Sequence, residues 1–166
     1  MNKKDIILIV SVLLIVVIAF FVTNDNESSA NIELPIALSG EDKGVVSIDY
    51  NGYAEKISNG DNFIVVIERT GCSYCEMYGP IVKEVAEEYS IPVYDLNIAE
   101  ITEKEYELLN NSNSYLKRNK WGTPTTLLMS GENVAASLGG YVEKDEFISF
   151  IKTNVILSSN EESVVE

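Results

Sequence analysis

Two cysteines, Cys72 and Cys75, are the residues of this sequence best suited to chemistry, and Ser73 and Tyr74 separate them. This C-x-x-C spacing occurs in redox centres, in structural disulfides and as half of a zinc site. The chain of 166 residues holds no further cysteine and no histidine, so a closed zinc site would need carboxylates or a second chain. A disulfide across so short a loop constrains the unfolded chain little, which weakens a purely structural role. We expect no metal and no cofactor.

The helix predicted after the motif favours a redox centre. Beyond Cys75, apolar residues recur at the spacing of one helical face, and they are Tyr78, Ile81, Val82, Val85, Ala86 and Tyr89. A cysteine at the start of a helix is stabilised as a thiolate by unpaired backbone N–H groups and by the helix dipole. Cys72 is therefore the predicted nucleophile. Cys75, one turn later, is predicted to attack the mixed disulfide on Cys72 and so release the partner.

Strands and helices alternate around this motif. Apolar runs predict strands at 45–50, 63–67, 91–98, 123–129 and 134–138, and amphipathic segments predict helices at 53–57, from the motif to 89, at 102–110 and at 143–155. Thr102 and Glu105 form a capping-box pattern, and the polar run that begins at Asn110 ends that helix. The last two strands flank a turn-forming run and predict a hairpin. The pattern predicts an α/β domain with a central mixed sheet flanked by helices.

The N-terminal segment, residues 1–23, is predicted to be a membrane anchor or a signal segment. Residues 6–22 are apolar apart from Ser11, and Lys3 and Lys4 precede them. Such a run is long enough to span a bilayer as a helix, and the lysines place the N-terminus in the cytoplasm. The sequence therefore predicts a single-pass cell-membrane protein whose folded domain is extracytoplasmic. The alternative is a secreted protein that is cleaved near Ala30.

Composition divides the rest of the chain and excludes some functions. Residues 24–44 are polar and predict a linker, residues 45–157 form the predicted domain, and residues 158–166 predict a flexible tail. The formal net charge of −14 excludes nucleic acid as a partner, because that polyanion would be repelled. The absence of histidine excludes a Ser-His-Asp triad and a Cys-His protease.

Residues 45–157 resemble the thioredoxin superfamily. The shared features, in chain order, are the strand before the cysteines, the cysteine pair, Pro80, the helix IVKEVAEEY, the strand VYDLNI, the run GTPT at 122–125 and Gly139-Gly140. The resemblance implies a thioredoxin fold and a thiol-disulfide oxidoreductase. Its implied partners are protein disulfides or dithiols and a separate, unidentified redox protein.

The resemblance also implies roles for residues outside the motif. In the family, the proline that matches Pro124 is cis and lies against the active-site disulfide, and the backbone of the preceding residue, here Thr123, pairs with extended substrate. The alternative is that Pro124 only starts an edge strand. Trp121 is predicted either to line the substrate groove or simply to pack. Ser73 and Tyr74 are predicted to contact substrate and to tune the reduction potential.

One family feature is missing at its usual position. Many thioredoxins carry a buried acid six residues before the first cysteine, where this sequence has Val66. Asp95 on the adjacent predicted strand is our candidate for that acid, since burial would raise its pKa into the range of general acid-base chemistry. Glu68 is the rival, because it points to the same side of the strand as Val66. The alternative for Asp95 is a position at a strand end, facing water.

We therefore predict a membrane-tethered thiol-disulfide oxidoreductase that acts on exported proteins, with the direction of electron transfer left open. The chain is also similar to small anchored extracytoplasmic proteins, including bacteriocin transport accessory proteins. It departs from the family pattern at Gly71, where a tryptophan is usual. The alternative function is a non-enzymatic accessory or chaperone-like module of an export system.

Overall fold

The computed structural model describes residues 32–118 and 120–157. Its elements in chain order are β1 Gly44–Ile48, α1 Tyr50–Asn59, β2 Asn62–Glu68, α2 Ser73–Glu88, β3 Pro92–Asn97, α3 Glu103–Asn110, α4 Ser114–Arg118, β4 Thr125–Ser130, β5 Asn133–Gly139 and α5 Lys144–Asn154. The predicted order of strands and helices is confirmed, with α4 as an addition. The predicted anchor and the predicted tail lie outside the described residues. None of the helices in the described part of the chain is long and apolar enough to cross a membrane.

The five strands form one mixed sheet in the order β1-β3-β2-β4-β5. Strands β1, β3 and β2 are parallel, whereas β4 runs antiparallel to β2 and β5 antiparallel to β4, as the predicted hairpin requires. The three parallel strands therefore end at one edge of the sheet, at Ile48, Glu68 and Asn97. The cysteine motif follows Glu68, so it lies at this edge.

Helices cover both faces of the sheet. On one face α2 and α5 pack through residues such as Tyr78 and Phe147. On the other face α1 and α3 pack through Tyr53 and Leu109. Strand β2 lies between the two cores, which explains why its apolar run is unbroken instead of alternating.

Side-chain caps set the element boundaries. Asp49 accepts a hydrogen bond from the backbone N–H of Gly52 (2.8 Å), which starts α1 and ends β1 earlier than predicted. The capping box of Thr102 and Glu105 is confirmed at the start of α3. The unexpected α4 follows from Asn113, whose side-chain oxygen accepts from the N–H of Leu116 (2.9 Å) while Leu116 is buried.

Part of the segment predicted as a linker contacts the domain. Residues 36–43, here called the strap, bind to the domain. The N–H of Ile36 donates to the carbonyl of Asn154 (2.9 Å), and the N–H of Ile156 donates to the carbonyl of Ile36 (2.8 Å). Farther along, the N–H of Ser39 donates to the carbonyl of Asn62, at the start of β2 (2.7 Å). The strap thus lies at the end of the parallel strands opposite the cysteines.

Candidate active site

Cys72 is the N-cap residue of α2, and it forms a disulfide with Cys75 in which the Cα atoms are 5.2 Å apart. The backbone N–H of Cys75 donates to the sulfur of Cys72 at 3.3 Å. The side chain of Cys72 therefore occupies the place of a capping oxygen and lies at the positive end of the helix dipole. A thiolate formed there on reduction is stabilised, as the sequence predicts.

The two cysteines differ in their access to solvent. Cys72 is half-buried, whereas Cys75 is 4% exposed. An external disulfide can therefore reach the sulfur of Cys72 more easily than that of Cys75. This geometry supports Cys72 as the nucleophile and Cys75 as the resolving thiol.

The turn before the motif is shaped by Gly71 and Asn97. Gly71 has a φ of 76°, a backbone conformation that residues with a side chain rarely adopt, which gives a physical reason for glycine at the family's tryptophan position. Asn97, at the end of β3, accepts from the N–H of Thr70 (3.2 Å) and donates to the Thr70 hydroxyl (2.7 Å). Sequence reasoning missed Asn97. Its only signal was its place at the carboxyl end of a strand next to the motif.

Thr123 and Pro124 lie against the disulfide. The Thr123–Pro124 peptide bond is cis, as the family resemblance predicts. The sulfur of Cys72 is 3.4 Å from the carbonyl oxygen of Thr123, which can accept a hydrogen bond from the reduced thiol. The strand that follows, β4, pairs on both sides, so the alternative in which Pro124 starts an edge strand is wrong.

A cavity of about 110 Å³ lies behind the disulfide. Its wall combines the resolving cysteine with two carboxylates and a ring of apolar groups: Val45, Val66, Glu68, Cys75, Tyr78, Gly79, Val82, Val93, Asp95 and Pro124. The structure therefore brings together four predicted site residues, namely Cys75, Pro124, Asp95 and Glu68. The volume is sufficient for a few water molecules beside the polar groups.

Asp95 lies on β3 directly opposite Val66 on β2. Its carboxyl group lines the cavity and is half-buried, so the alternative in which it simply faces water is wrong. Burial, together with the negative charges of Glu68 and Glu100, raises the pKa of Asp95 to about 7. A carboxyl with that pKa exchanges protons near neutral pH.

Glu68 lines the same cavity at the end of β2. Burial, followed by the charge of Glu100, raises the pKa of Glu68 above its ordinary value. Because Glu68 and Asp95 repel each other as anions, protonation of one favours ionisation of the other. Glu100 lies outside the residues that the sequence singled out.

Trp121 packs on α3. Its indole N–H donates to the side-chain oxygen of Asn110 (2.9 Å), and its ring lies 6.0 Å from that of Tyr106, centroid to centroid. These contacts match the packing alternative for Trp121, and its place in a substrate groove stays a prediction.

The first turns of α2 expose apolar side chains beside the disulfide. Ser73 and Tyr74 are exposed, and Tyr74 and Met77 show 63% and 54% of their surface to solvent. Met77 is not among the site residues predicted from the sequence. Among the described residues, no group of three or more cysteines and acids is placed to hold a metal ion.

Several solved thioredoxins have the same architecture. Thioredoxin f from spinach chloroplast matches with a TM-score of 0.52 and 14% identity over 69% of this chain and 96% of that one. The domain has the thioredoxin fold. Thioredoxin O2 from Arabidopsis thaliana in its oxidised state matches at 0.51 and 16% identity, over 66% of this chain and 93% of that one. A mutant thioredoxin from Halobacterium salinarum matches at 0.53 and 15% identity, over 72% of this chain and 99% of that one.

Neither protein-family models nor curated protein sequences match the chain. The likeness is therefore one of fold, and the roles of individual residues rest on the geometry of this chain.

Proposed function

We propose that this chain is a thiol-disulfide oxidoreductase that acts on protein disulfides through Cys72 and Cys75. The observation that carries the proposal is the asymmetry of the pair. Cys72 caps a helix, is partly accessible and lies 3.4 Å from the carbonyl of Thr123, whereas Cys75 is buried beside a cavity with two carboxylates. This arrangement supplies an activated nucleophile, a second thiol one turn away and a backbone edge for an extended client.

In the reducing direction the reaction has two steps. The Cys72 thiolate attacks one sulfur of the client disulfide, so a mixed disulfide forms and the other client sulfur leaves as a thiolate. Cys75 then loses its proton and attacks the sulfur of Cys72, which releases the second client thiolate and leaves the Cys72–Cys75 disulfide. The same steps in reverse oxidise a client dithiol. A separate redox partner must restore the starting state.

Asp95 is the group proposed to take the proton of Cys75 in the second step. Both side chains line the same cavity, and a carboxyl with a pKa of about 7 can accept and return a proton near neutral pH. Glu68 lines that cavity as well and is the second candidate. Their cooperation would move the proton from the buried thiol toward solvent.

The proposed location is the outer face of a cell membrane, where exported clients emerge. Support comes from the apolar run 6–22 and the preceding Lys3 and Lys4. The resemblance to bacteriocin transport accessory proteins agrees with this location. The alternative is secretion after cleavage near Ala30. A cysteine placed at Ser28 in the Cys72→Ser, Cys75→Ser background should react with a membrane-impermeant thiol reagent in intact cells. Protection until lysis would place the domain inside.

The decisive experiment on activity uses the reduced full chain and a short peptide that carries one disulfide. The wild type should reduce the peptide, Cys72→Ser should be inactive, and Cys75→Ser should accumulate a peptide-linked adduct visible by mass spectrometry. An active Cys72→Ser variant would refute the proposal. In cells, the adduct on Cys75→Ser would identify the clients.

A non-enzymatic accessory or chaperone-like role is the second candidate. The exposed apolar side chains of Tyr74 and Met77 favour it, since such a surface can hold an unfolded segment without redox chemistry. Complementation with the double Cys72→Ser, Cys75→Ser variant separates the two functions. Full function without the cysteines would establish the accessory role.

A further inference from the structure

Two buried hydroxyl groups meet behind the disulfide. The hydroxyl of Tyr78 on α2 lies 3.1 Å from the hydroxyl of Thr126 on β4, and both residues are buried. Tyr78 also lines the cavity beside Cys75. Neither residue takes part in the reaction steps described above.

This hydrogen bond joins the two elements that carry the site. Tyr78 lies three residues after Cys75, almost one helical turn along α2. Thr126 lies two residues after Pro124 and therefore points to the same face of its strand. The bond thus spans the gap between the cysteine-bearing helix and the Thr123-Pro124 segment that packs on it.

We propose that Tyr78 and Thr126 form a positioning pair that sets the placement of Cys72 relative to the backbone of Thr123, and so determines how well an extended peptide disulfide is presented for attack. This inference rests on the proposed oxidoreductase function. In this proposal Tyr78 and Thr126 take no part in bond making or breaking. They act by fixing the position of α2 relative to β4.

The surroundings of Tyr78 suit a fixed anchor. Its ring lies 5.7 Å from that of Phe147 and 6.2 Å from that of Tyr141, centroid to centroid, in edge-to-face geometry. Burial raises the pKa of Tyr78 to about 12, so its hydroxyl keeps its proton wherever thiol exchange proceeds. Among the described residues, Thr126 is the one side chain that forms a hydrogen bond with the Tyr78 hydroxyl.

The variants for the test keep the shape of the core. Tyr78→Phe retains the ring contacts and removes one hydroxyl, and Thr126→Val removes the other, whereas Thr126→Ser keeps it. Tyr53→Phe is the control, because the buried Tyr53 hydroxyl bonds with Ser112 (2.8 Å) and accepts from Asn113 (3.2 Å) in the core on the opposite face of the sheet. Thermal unfolding records the stability that each variant loses, and Tyr53→Phe should lose at least as much as Tyr78→Phe because its hydroxyl has two side-chain partners.

The measurement compares two substrates in single-turnover reactions of the reduced full chain. Hydroxyethyl disulfide requires only the Cys72 thiolate, whereas a peptide disulfide also requires the Thr123 backbone. Tyr78→Phe and Thr126→Val should each lower the second-order rate constant for the peptide about fivefold, the factor that one net hydrogen bond supplies, without changing that for hydroxyethyl disulfide. The double variant should lose no more than either single one. Tyr53→Phe and Thr126→Ser should match the wild type.

Each other outcome has a distinct meaning. Equal slowing with both substrates, or additive losses in the double variant, would overturn the positioning pair. A peptide rate that Tyr53→Phe lowers as much as Tyr78→Phe does would overturn it too, since general loosening of the fold would then be the cause. A wild type that reduces neither substrate would refute the oxidoreductase function itself, and the inference with it.

Discussion

Asp95 on β3 is the register partner of Val66 on β2, so the carboxyl beside the resolving cysteine comes from the strand adjacent to the one that leads into the motif. The position that usually holds a buried acid in thioredoxins carries an apolar side chain here, and the neighbouring strand carries the charge. Both face the same cavity. The proposed proton acceptor therefore approaches Cys75 from the neighbouring strand.

The first prediction concerns this carboxyl. Asp95→Asn should slow resolution of a peptide mixed disulfide on Cys72 by about tenfold or more, because the positioned base is lost. The wild-type rate should rise as the pH increases through about 7, where Asp95 ionises, and the variant should lack that rise. Quenched-flow release of the peptide measures both. Glu68→Gln should slow resolution less than Asp95→Asn does. If Asp95→Asn resolves the mixed disulfide at the wild-type rate across this pH range, Asp95 is not the base.

The same carboxyl should make folding depend on pH. The folded state raises the pKa of Asp95 from 3.8 to about 7, so between these values it binds more protons than the unfolded chain, and stability falls as the pH rises. Asp95→Asn should therefore raise the unfolding free energy of the oxidised protein above pH 7. We expect about 2 kcal/mol, roughly half the full linkage value, because the group is partly solvated.

That gain should disappear as the pH falls below 3.8, where the wild-type carboxyl is protonated in the folded state and increasingly so in the unfolded chain. Denaturant titrations at several pH values measure it. Glu132→Gln, in the turn between β4 and β5, is the control for the change in net charge. A gain of equal size at both ends of the pH range would show that desolvation of the Asp95 charge is not its source.

Alkylation should distinguish the two cysteines. In the reduced protein near neutral pH, iodoacetamide should modify Cys72 at least about tenfold faster than Cys75, since Cys72 accepts an N–H bond at the helix start and Cys75 is 4% exposed. Mass spectrometry of peptides from timed samples gives the two rates. Single Cys72→Ser and Cys75→Ser variants provide the reference rate of each thiol alone. Equal rates would remove the assignment of nucleophile and resolving thiol.

The strap should contribute to stability without affecting chemistry. Ile36 is partly buried against the α2 and α5 core, so Ile36→Ala should lower the unfolding free energy by about 1–2 kcal/mol. Leu34→Ala, two residues earlier and 40% exposed, should change it by less than about 0.5 kcal/mol. Denaturant unfolding provides both numbers. Loss of peptide reduction in Ile36→Ala would mean that the strap also shapes the active site.

The parts of the fold that sequence reasoning predicted are those with a strong side-chain pattern. The apolar face of α2, the capping box at Thr102 and the hairpin each leave a periodic or positional signal. The strap left only a weak signal, because many of its bonds to Asn154 and Asn62 use backbone atoms and its apolar run, Ile36 to Leu38, is too short to show a period. The short helix α4 was missed for a related reason, since Asn113 favours both a turn and a cap.

The candidate site was predictable to a similar degree. The cysteines were identified by spacing, and Pro124 and Asp95 by resemblance. Tyr78 was assigned only to the core face of α2, because periodicity specifies which side of a helix is buried but not which hydroxyl a buried tyrosine meets. That partner depends on the position of β4, which lies far along the chain from α2, and no local pattern encodes it.

The contact of Ile36 with Val155 brings the beginning and the end of the described domain together, at the end of the sheet away from the cysteines. Adjacent ends are the condition for circular permutation and for insertion of a domain into a loop of another protein. We expect a permuted chain, closed by a short glycine-serine linker between residues 157 and 32 and opened at the turn 131–132, to fold and keep its disulfide accessible. A redox domain of this kind could be grafted into a surface loop of a host protein, with both connections on one side and the reactive sulfur on the other.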